Sequence, residues 1–191
     1  MFAKTRAVLA VVSMLGLFAI AGCKPEAEAV ARAPDAPTDK PYDAPDFAGI
    51  STWVNAKALK IADLKGKVVI VHFWTNGCIN CVHNYPHYRA WAKLYAENAN
   101  VQMIGVHTPE FDGEKNLDRL KEQMKKHELT FAVAVDNDMS TWKAWENQYW
   151  PAIYLVDAKG KVRKKHEGEL GADGYKTMTA AIDALVKEAA K

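Results

Sequence analysis

The feature that most limits how this chain can fold is a seven-residue run, Val68 to Trp74, that leads four residues later into Cys78-Ile79-Asn80-Cys81. The run is rich in β-branched and aromatic residues, the composition of a strand buried on both faces. The segment after it, Ile79 to Glu97, reads as a helix, with Tyr88, Trp91, Leu94 and Tyr95 forming one apolar face. A C-x-x-C pair therefore stands between a buried strand and the start of a helix.

The rest of the chain fits around that unit. Trp53-Val54 reads as a short first strand, and Val101 to Val106 and Phe131 to Val135 as further strands. Glu114 to Glu128 is predicted as an amphipathic helix with Leu117, Leu120 and Met124 inward, and Asp138 to Asn147 as a short helix with Asp138 as N-cap. Ala152 to Asp157 and Lys161 to His166, joined by Ala-Lys-Gly-Lys, predict a hairpin. A final helix from about Asp173 to Ala189 places Tyr175, Met178, Ile182, Leu185 and Val186 on one side. Alternating strands and helices of this kind predict a three-layer α/β domain.

The position of the cysteines sets their chemistry. Unpaired N–H groups and the dipole at a helix N-terminus favour a negative charge, so the first thiol ionises more easily. Cys78 is the expected attacking thiolate, and Cys81, one turn into the helix, the resolving thiol. The pair would form a mixed disulfide with a partner and then release it. Two other readings stay open: a static structural disulfide, and metal handling. A structural zinc site needs about four ligands, and there is no second Cys pair. Soft thiolates bind Cu(I), however, and His72, His83, His87 and His107 lie nearby in sequence, so a copper or other metal chaperone is the competing class. Pro151, in Tyr149-Trp150-Pro151-Ala152, opens a buried strand. It fits a cis or a trans bond by itself, and the neighbouring C-x-x-C favours cis.

The amino terminus reads as an address. Lys4 and Arg6 precede an apolar stretch from Ala7 to Ile20 that ends in Ala21-Gly22-Cys23. A basic start, an apolar stretch shorter than a membrane span and small residues before a break describe a secretory signal. Ile20-Ala21-Gly22-Cys23 also resembles a bacterial lipobox, which implies cleavage before Cys23 and lipidation of its thiol. An ordinary signal peptide with Cys23 incidental is the alternative. Residues 1–22 are thus expected to be a signal, 23–45 a flexible Pro/Ala-rich tether and 46–191 the folded domain. The whole chain carries 25 Lys+Arg against 23 Asp+Glu, and the excess is Lys4 and Arg6, so no nucleic-acid partner is expected. The basic run Lys159, Lys161, Arg163, Lys164 and Lys165 reads as protection of an edge strand.

Phe73-Trp74-Thr75-Asn76-Gly77-Cys78-Ile79-Asn80-Cys81 resembles a thioredoxin-like active site, in the form found in DipZ-type domains, relatives of TlpA and ResA. Gly105-Val106-His107-Thr108-Pro109-Glu110-Phe111, Val135-Asp136-Asn137-Asp138, Tyr149-Trp150-Pro151-Ala152 and Pro86 match as well. The resemblance implies a thioredoxin fold: a central mixed β-sheet flanked by helices, with a TlpA-like N-terminal extension. It implies a redox-active Cys78–Cys81 disulfide and no other cofactor, no metal, and a cis Pro151 opposite the pair. It also implies protein thiol or disulfide substrates on the periplasmic side of a bacterial membrane, and a membrane electron donor of DsbD or CcdA type. The expected direction is reduction. A peroxidase is a weaker option, because its usual pattern, a Thr-x-x-Cys without a helix-start C-x-x-C, is absent.

Thioredoxins carry a buried Asp six residues before the first Cys, and here that position is His72. A neutral imidazole there would accept the resolving thiol's proton, a protonated one would stabilise a thiolate, and a core histidine would do neither. Trp74 and Trp150 are expected to wall the site. Glu110 belongs to a family motif at the C-terminal end of a strand, where α/β sites gather. His83 stands where DipZ-like domains often carry Arg.

Overall fold

A computed structural model describes residues 37–191, with side chains from residue 40 onward. The signal expected over residues 1–22 and the lipidation expected at Cys23 lie outside the described residues. One seven-stranded mixed sheet organises the chain, in the order β1-β7-β6-β3-β4-β5-β2. Its strands are β1 (Pro37–Asp43), β2 (Thr52–Val54), β3 (Val68–Trp74), β4 (Val101–His107), β5 (Ala132–Val135), β6 (Ala152–Val156) and β7 (Lys161–Glu167). The helices are α1 (Ile79–Leu94), α2 (Leu117–Lys126), α3 (Ser140–Ala144) and α4 (Gly171–Ala189).

β3 sits at the centre, parallel to β4 and antiparallel to β6, and every one of its residues is buried. Its alternation explains why. Val68, Ile70 and Trp74 point into a core built with Tyr88 and Trp91 of α1, Leu120 and Met124 of α2, and Met178, Ile182 and Leu185 of α4. Val69, Val71 and Phe73 point the other way, onto Trp142 and Trp145, the 3-10 turn Ile61–Leu64 and the β6 face of Tyr154. Successive strand residues face opposite sides, so a strand packed on both faces is apolar along nearly its whole length, with His72 the one polar residue of β3. Three parallel strands, β3, β4 and β5, end at one edge of the sheet, and the antiparallel β6 begins there. That edge gathers the loops Thr75–Cys78, Thr108–Phe111, Asp136–Met139 and the turn before Ala152.

The structure differs from the sequence reading in four places. Residues 37–43, assigned to the tether, form β1 and pair with β7, which covers the edge that carries the basic run. The cause is the sheet: an unpaired edge strand supplies backbone partners to a segment too polar to build a core. Leu94, placed on the inner face of α1, is 56% exposed, because a residue six positions after Tyr88 lies well round the helix from it. The helix predicted from Glu114 is broken into a 3-10 turn, Asp112–Lys115, and α2, whose N-cap Asn116 accepts from Arg119 N–H at 2.9 Å. Finally, α3 starts later than expected, after Met139 at φ 62°, although Asp138 Oδ1 does accept from Ser140 N–H at 2.9 Å. Among the described residues, no helix is long and apolar enough to cross a membrane.

Candidate active site

The two cysteines meet where β3 ends and α1 begins. Cys78 is the N-cap of α1, with extended backbone at φ −83°, ψ 117°, and its Sγ accepts the Cys81 N–H at 3.3 Å. The two sulfurs are not joined to each other; Cys78 is half-buried and Cys81 fully buried. The interaction with the Cys81 thiol, then the backbone N–H groups of Cys81 and Asn80, lower the Cys78 pKa to about 7; partial burial and the charge of Glu110 oppose them. Burial, followed by the interaction with Cys78, drives Cys81 far above the ordinary thiol range. One sulfur is thus set up to be the thiolate and the other to hold the proton.

The turn before β6 closes the site from the other side. The Trp150–Pro151 peptide is cis, and the Trp150 carbonyl oxygen lies 3.9 Å from Cys78 Sγ. Trp150 is fixed in turn. Its indole stacks on Trp142 at 3.9 Å between centroids, and its Nε1–H donates to the Thr108 carbonyl at 2.9 Å. Asp136, at the end of β5, holds Trp142 and its neighbour by accepting from Trp142 N–H, Thr141 N–H and the Thr108 hydroxyl at 2.8, 3.0 and 3.1 Å.

The remaining expected residues divide. Trp74, expected to wall the site, is fully buried because β3 is covered on both faces; it packs on Tyr85, His107 and Phe131 from beneath. Only Trp150 of the two tryptophans reaches the site's surface. His72 is also fully buried, its ring 4.2 Å from that of Tyr88 and 4.6 Å from that of Phe131. Neither ring nitrogen has a hydrogen-bond partner among the described residues, and burial lowers its pKa to about 3, so the imidazole is neutral at physiological pH. Glu110 is exposed at the end of β4, and its charge raises the Cys78 pKa. The other histidines point apart: His83 pairs with Glu169 at 2.9 Å, His87 stacks on Tyr175, and His107 is buried beside Thr75. Among the described residues, no group of three or more His, Cys, Asp or Glu could hold a metal ion.

For several residues at this edge the sequence showed a motif or a helix but no role. Ile79, the first residue of α1, and Phe111 and Tyr149, on loops at this edge, are 63%, 67% and 50% exposed and add apolar surface there. Glu114 is buried, and its Oε2 accepts the Thr75 hydroxyl at 2.7 Å and the Glu110 and Phe111 N–H groups at 2.7 and 3.3 Å. In the sequence, Glu114 reads only as the first charged residue of the predicted helix Glu114 to Glu128.

Residues 42–165 match the pattern of the AhpC/TSA family. The chain is 41% identical to Protein DipZ of Mycobacterium bovis over 129 residues, which is 66% of this chain and 18% of that protein. The chain therefore spans about a fifth of that relative. It is 30% identical to the thiol-disulfide oxidoreductase ResA of Bacillus subtilis over 128 residues, 67% of each chain. Among solved structures, a thioredoxin-like protein in its oxidised form superposes with a TM-score of 0.67 at 26% identity, covering 76% of this chain and 95% of that one. The sheet and the helices around it correspond to those of a thioredoxin fold.

Proposed function

Because the chain belongs to the AhpC/TSA family, we propose that it is a thiol–disulfide oxidoreductase that reduces disulfides in other proteins through Cys78 and Cys81. One observation carries this reading: Cys78 Sγ caps α1 and takes the Cys81 N–H at 3.3 Å, which holds a thiolate at the surface and the second thiol beneath it. In the forward reaction Cys78 S⁻ attacks a substrate disulfide, one substrate sulfur leaves as thiolate, and a mixed disulfide forms. Cys81 then attacks Cys78 Sγ, giving the Cys78–Cys81 disulfide and the second substrate thiol. The exposed apolar side chains of Ile79, Phe111 and Tyr149 at this edge suit unfolded or loosely packed polypeptide. To turn over, the oxidised pair needs an electron donor, and a membrane protein of DsbD or CcdA type fits an extracytoplasmic reductase.

The location belongs to the same proposal. Residues 1–22 direct export, and lipidation of Cys23 tethers the domain at the periplasmic side of a membrane; the support is the basic start, the apolar stretch and the Ile20-Ala21-Gly22-Cys23 sequence. Cys81→Ser in the full-length chain, expressed in bacteria, tests the reading. It should accumulate mixed disulfides through Cys78 with exported proteins, and mass spectrometry of the membrane fraction should find acylated Cys23. A failure to trap any thiol-reversible adduct would overturn the oxidoreductase reading, and an unmodified Cys23 would overturn the anchor.

A further inference from the structure

The exchange reaction leaves one step without an agent. The Cys81 thiol is buried and must lose its proton before it can attack the mixed disulfide, since the thiolate is the nucleophile. The position six residues before Cys78 carries no acid: His72 stands there, enclosed between Tyr88 and Phe131. An acid instead approaches from another element. Glu114, in the 3-10 turn after β4, lies directly over the turn that bears Cys78. A Cβ built on Gly77 would fall 1.8 Å from Glu114 Oε1, so Gly77 is needed for this close approach and not for its φ. The hydrogen bonds that fix the carboxylate, from Thr75 and from the Glu110 and Phe111 backbone, all go to Oε2, and Oε1 is the oxygen turned to the C-x-x-C turn.

We infer that Glu114 accepts the proton of Cys81 when the mixed disulfide is resolved, held in place for this by Thr75 and the Glu110–Phe111 backbone. The inference rests on the oxidoreductase reading above. The step balances: Cys81–SH gives its proton to the Glu114 carboxylate, its sulfur bonds to Cys78 Sγ, and the bond from Cys78 to the substrate sulfur breaks. The departing thiolate then takes the proton back from Glu114, directly or through solvent.

The electrostatics agree with this placement. The Glu114 charge acts on Cys81, Tyr85 and His107, raising each of them, so α1 and β4 both feel it. The other groups against the carboxylate are Thr75 on the turn and the backbone of Glu110 and Phe111 on the β4 loop, while Lys115 of its own turn is engaged with Asp112 at 2.6 Å on the surface. Thr75 also touches His107 Nε2 at 3.4 Å, and as its hydroxyl donates to Glu114 it can only accept from that imidazole, which fixes Nε2 as the protonated nitrogen.

The test uses the reduced full-length chain, a peptide disulfide as probe, and acid quenching to count the mixed disulfide with time between pH 6 and 9. In Glu114→Gln the mixed disulfide should decay about 100-fold more slowly at pH 7, the usual scale of a lost general base, and the gap should close toward pH 9 as hydroxide replaces it. Alkylation of Cys78 by iodoacetamide should be unchanged. Gly77→Ala, which pushes the carboxylate away without altering it, should slow the same step. Decay in Glu114→Gln that keeps the wild-type rate and pH profile would overturn the inference. So would a parallel loss of Cys78 alkylation, since Glu114 would then only hold the turn. A wild-type protein that forms no mixed disulfide would overturn the oxidoreductase reading itself.

Discussion

Cys78 Sγ and the backbone nitrogen of Cys81 lie 3.3 Å apart, with the N–H of the second cysteine donating to the sulfur of the first. The relationship ties helix capping to reactivity. The same bond that satisfies an orphan donor at the start of α1 stabilises negative charge on the outer sulfur.

The first prediction is a titration. Alkylation of the reduced protein by iodoacetamide should rise with pH through a single step with its midpoint near 7. The largest cause of that depression is the Cys81 thiol, so in Cys81→Ala the midpoint should move up toward the ordinary thiol value of 9.0. A midpoint unchanged by that substitution would assign the effect to the backbone alone.

His72 predicts an acid-sensitive fold. Its pKa is 6.5 when unfolded and about 3 when folded, so only the unfolded chain takes up the proton between those values. Stability is therefore unaffected above about pH 6.5 and falls as the pH drops below it. The slope is about 1.4 kcal/mol per pH unit for one such group, or about 2 kcal/mol between pH 7 and pH 5. His107, lowered to about 4 by burial, adds a similar loss. Urea unfolding of His72→Leu at the two pH values should show a distinctly smaller drop than wild type. Its mixed-disulfide decay should keep the wild-type pH profile, because the neutral, enclosed ring exchanges no proton.

Asp136 predicts a link between the core and the site. Asp136→Ala leaves the Thr141 and Trp142 N–H groups and the Thr108 hydroxyl without their acceptor. Buried donors left unpaired cost about 1–3 kcal/mol each, so a loss of about 3 kcal/mol or more is expected in urea unfolding. The near-ultraviolet circular dichroism of the Trp142–Trp150 stack should weaken at the same time, since Asp136 fixes the backbone beneath it.

At Gly105 the prediction concerns space. A Cβ there would lie 2.7 Å from Trp74 Nε1, 2.9 Å from His72 Nε2 and 2.9 Å from a Phe131 ring carbon. Gly105→Ala should cost about 1–3 kcal/mol by overpacking, read from the denaturation midpoint. The cysteine titration should be unaffected.

Much of this architecture was legible in the residues. The run Val68–Trp74 announces a two-sided strand because both of its faces need apolar cover, and the helical periodicity after the C-x-x-C places the pair at a helix start. What the sequence concealed depends on tertiary partners. β1 is polar and exists because β7 offers it an edge. Trp74 looks like a site residue by its distance from Cys78, yet strand alternation turns it into the core. Glu114 looks like any surface acid until the chain brings it over Gly77, which no local pattern records.

The proposed function requires that Cys78 and Cys81 exchange disulfides with other proteins, with Cys78 as the attacking sulfur. Reduction of insulin by dithiothreitol, followed as turbidity with and without the protein, tests it most directly. The wild-type chain should accelerate the reaction, Cys78→Ser should abolish the acceleration, and Cys81→Ser should stall as a covalent adduct. Equal acceleration by wild type and Cys78→Ser, or none by either, would contradict it.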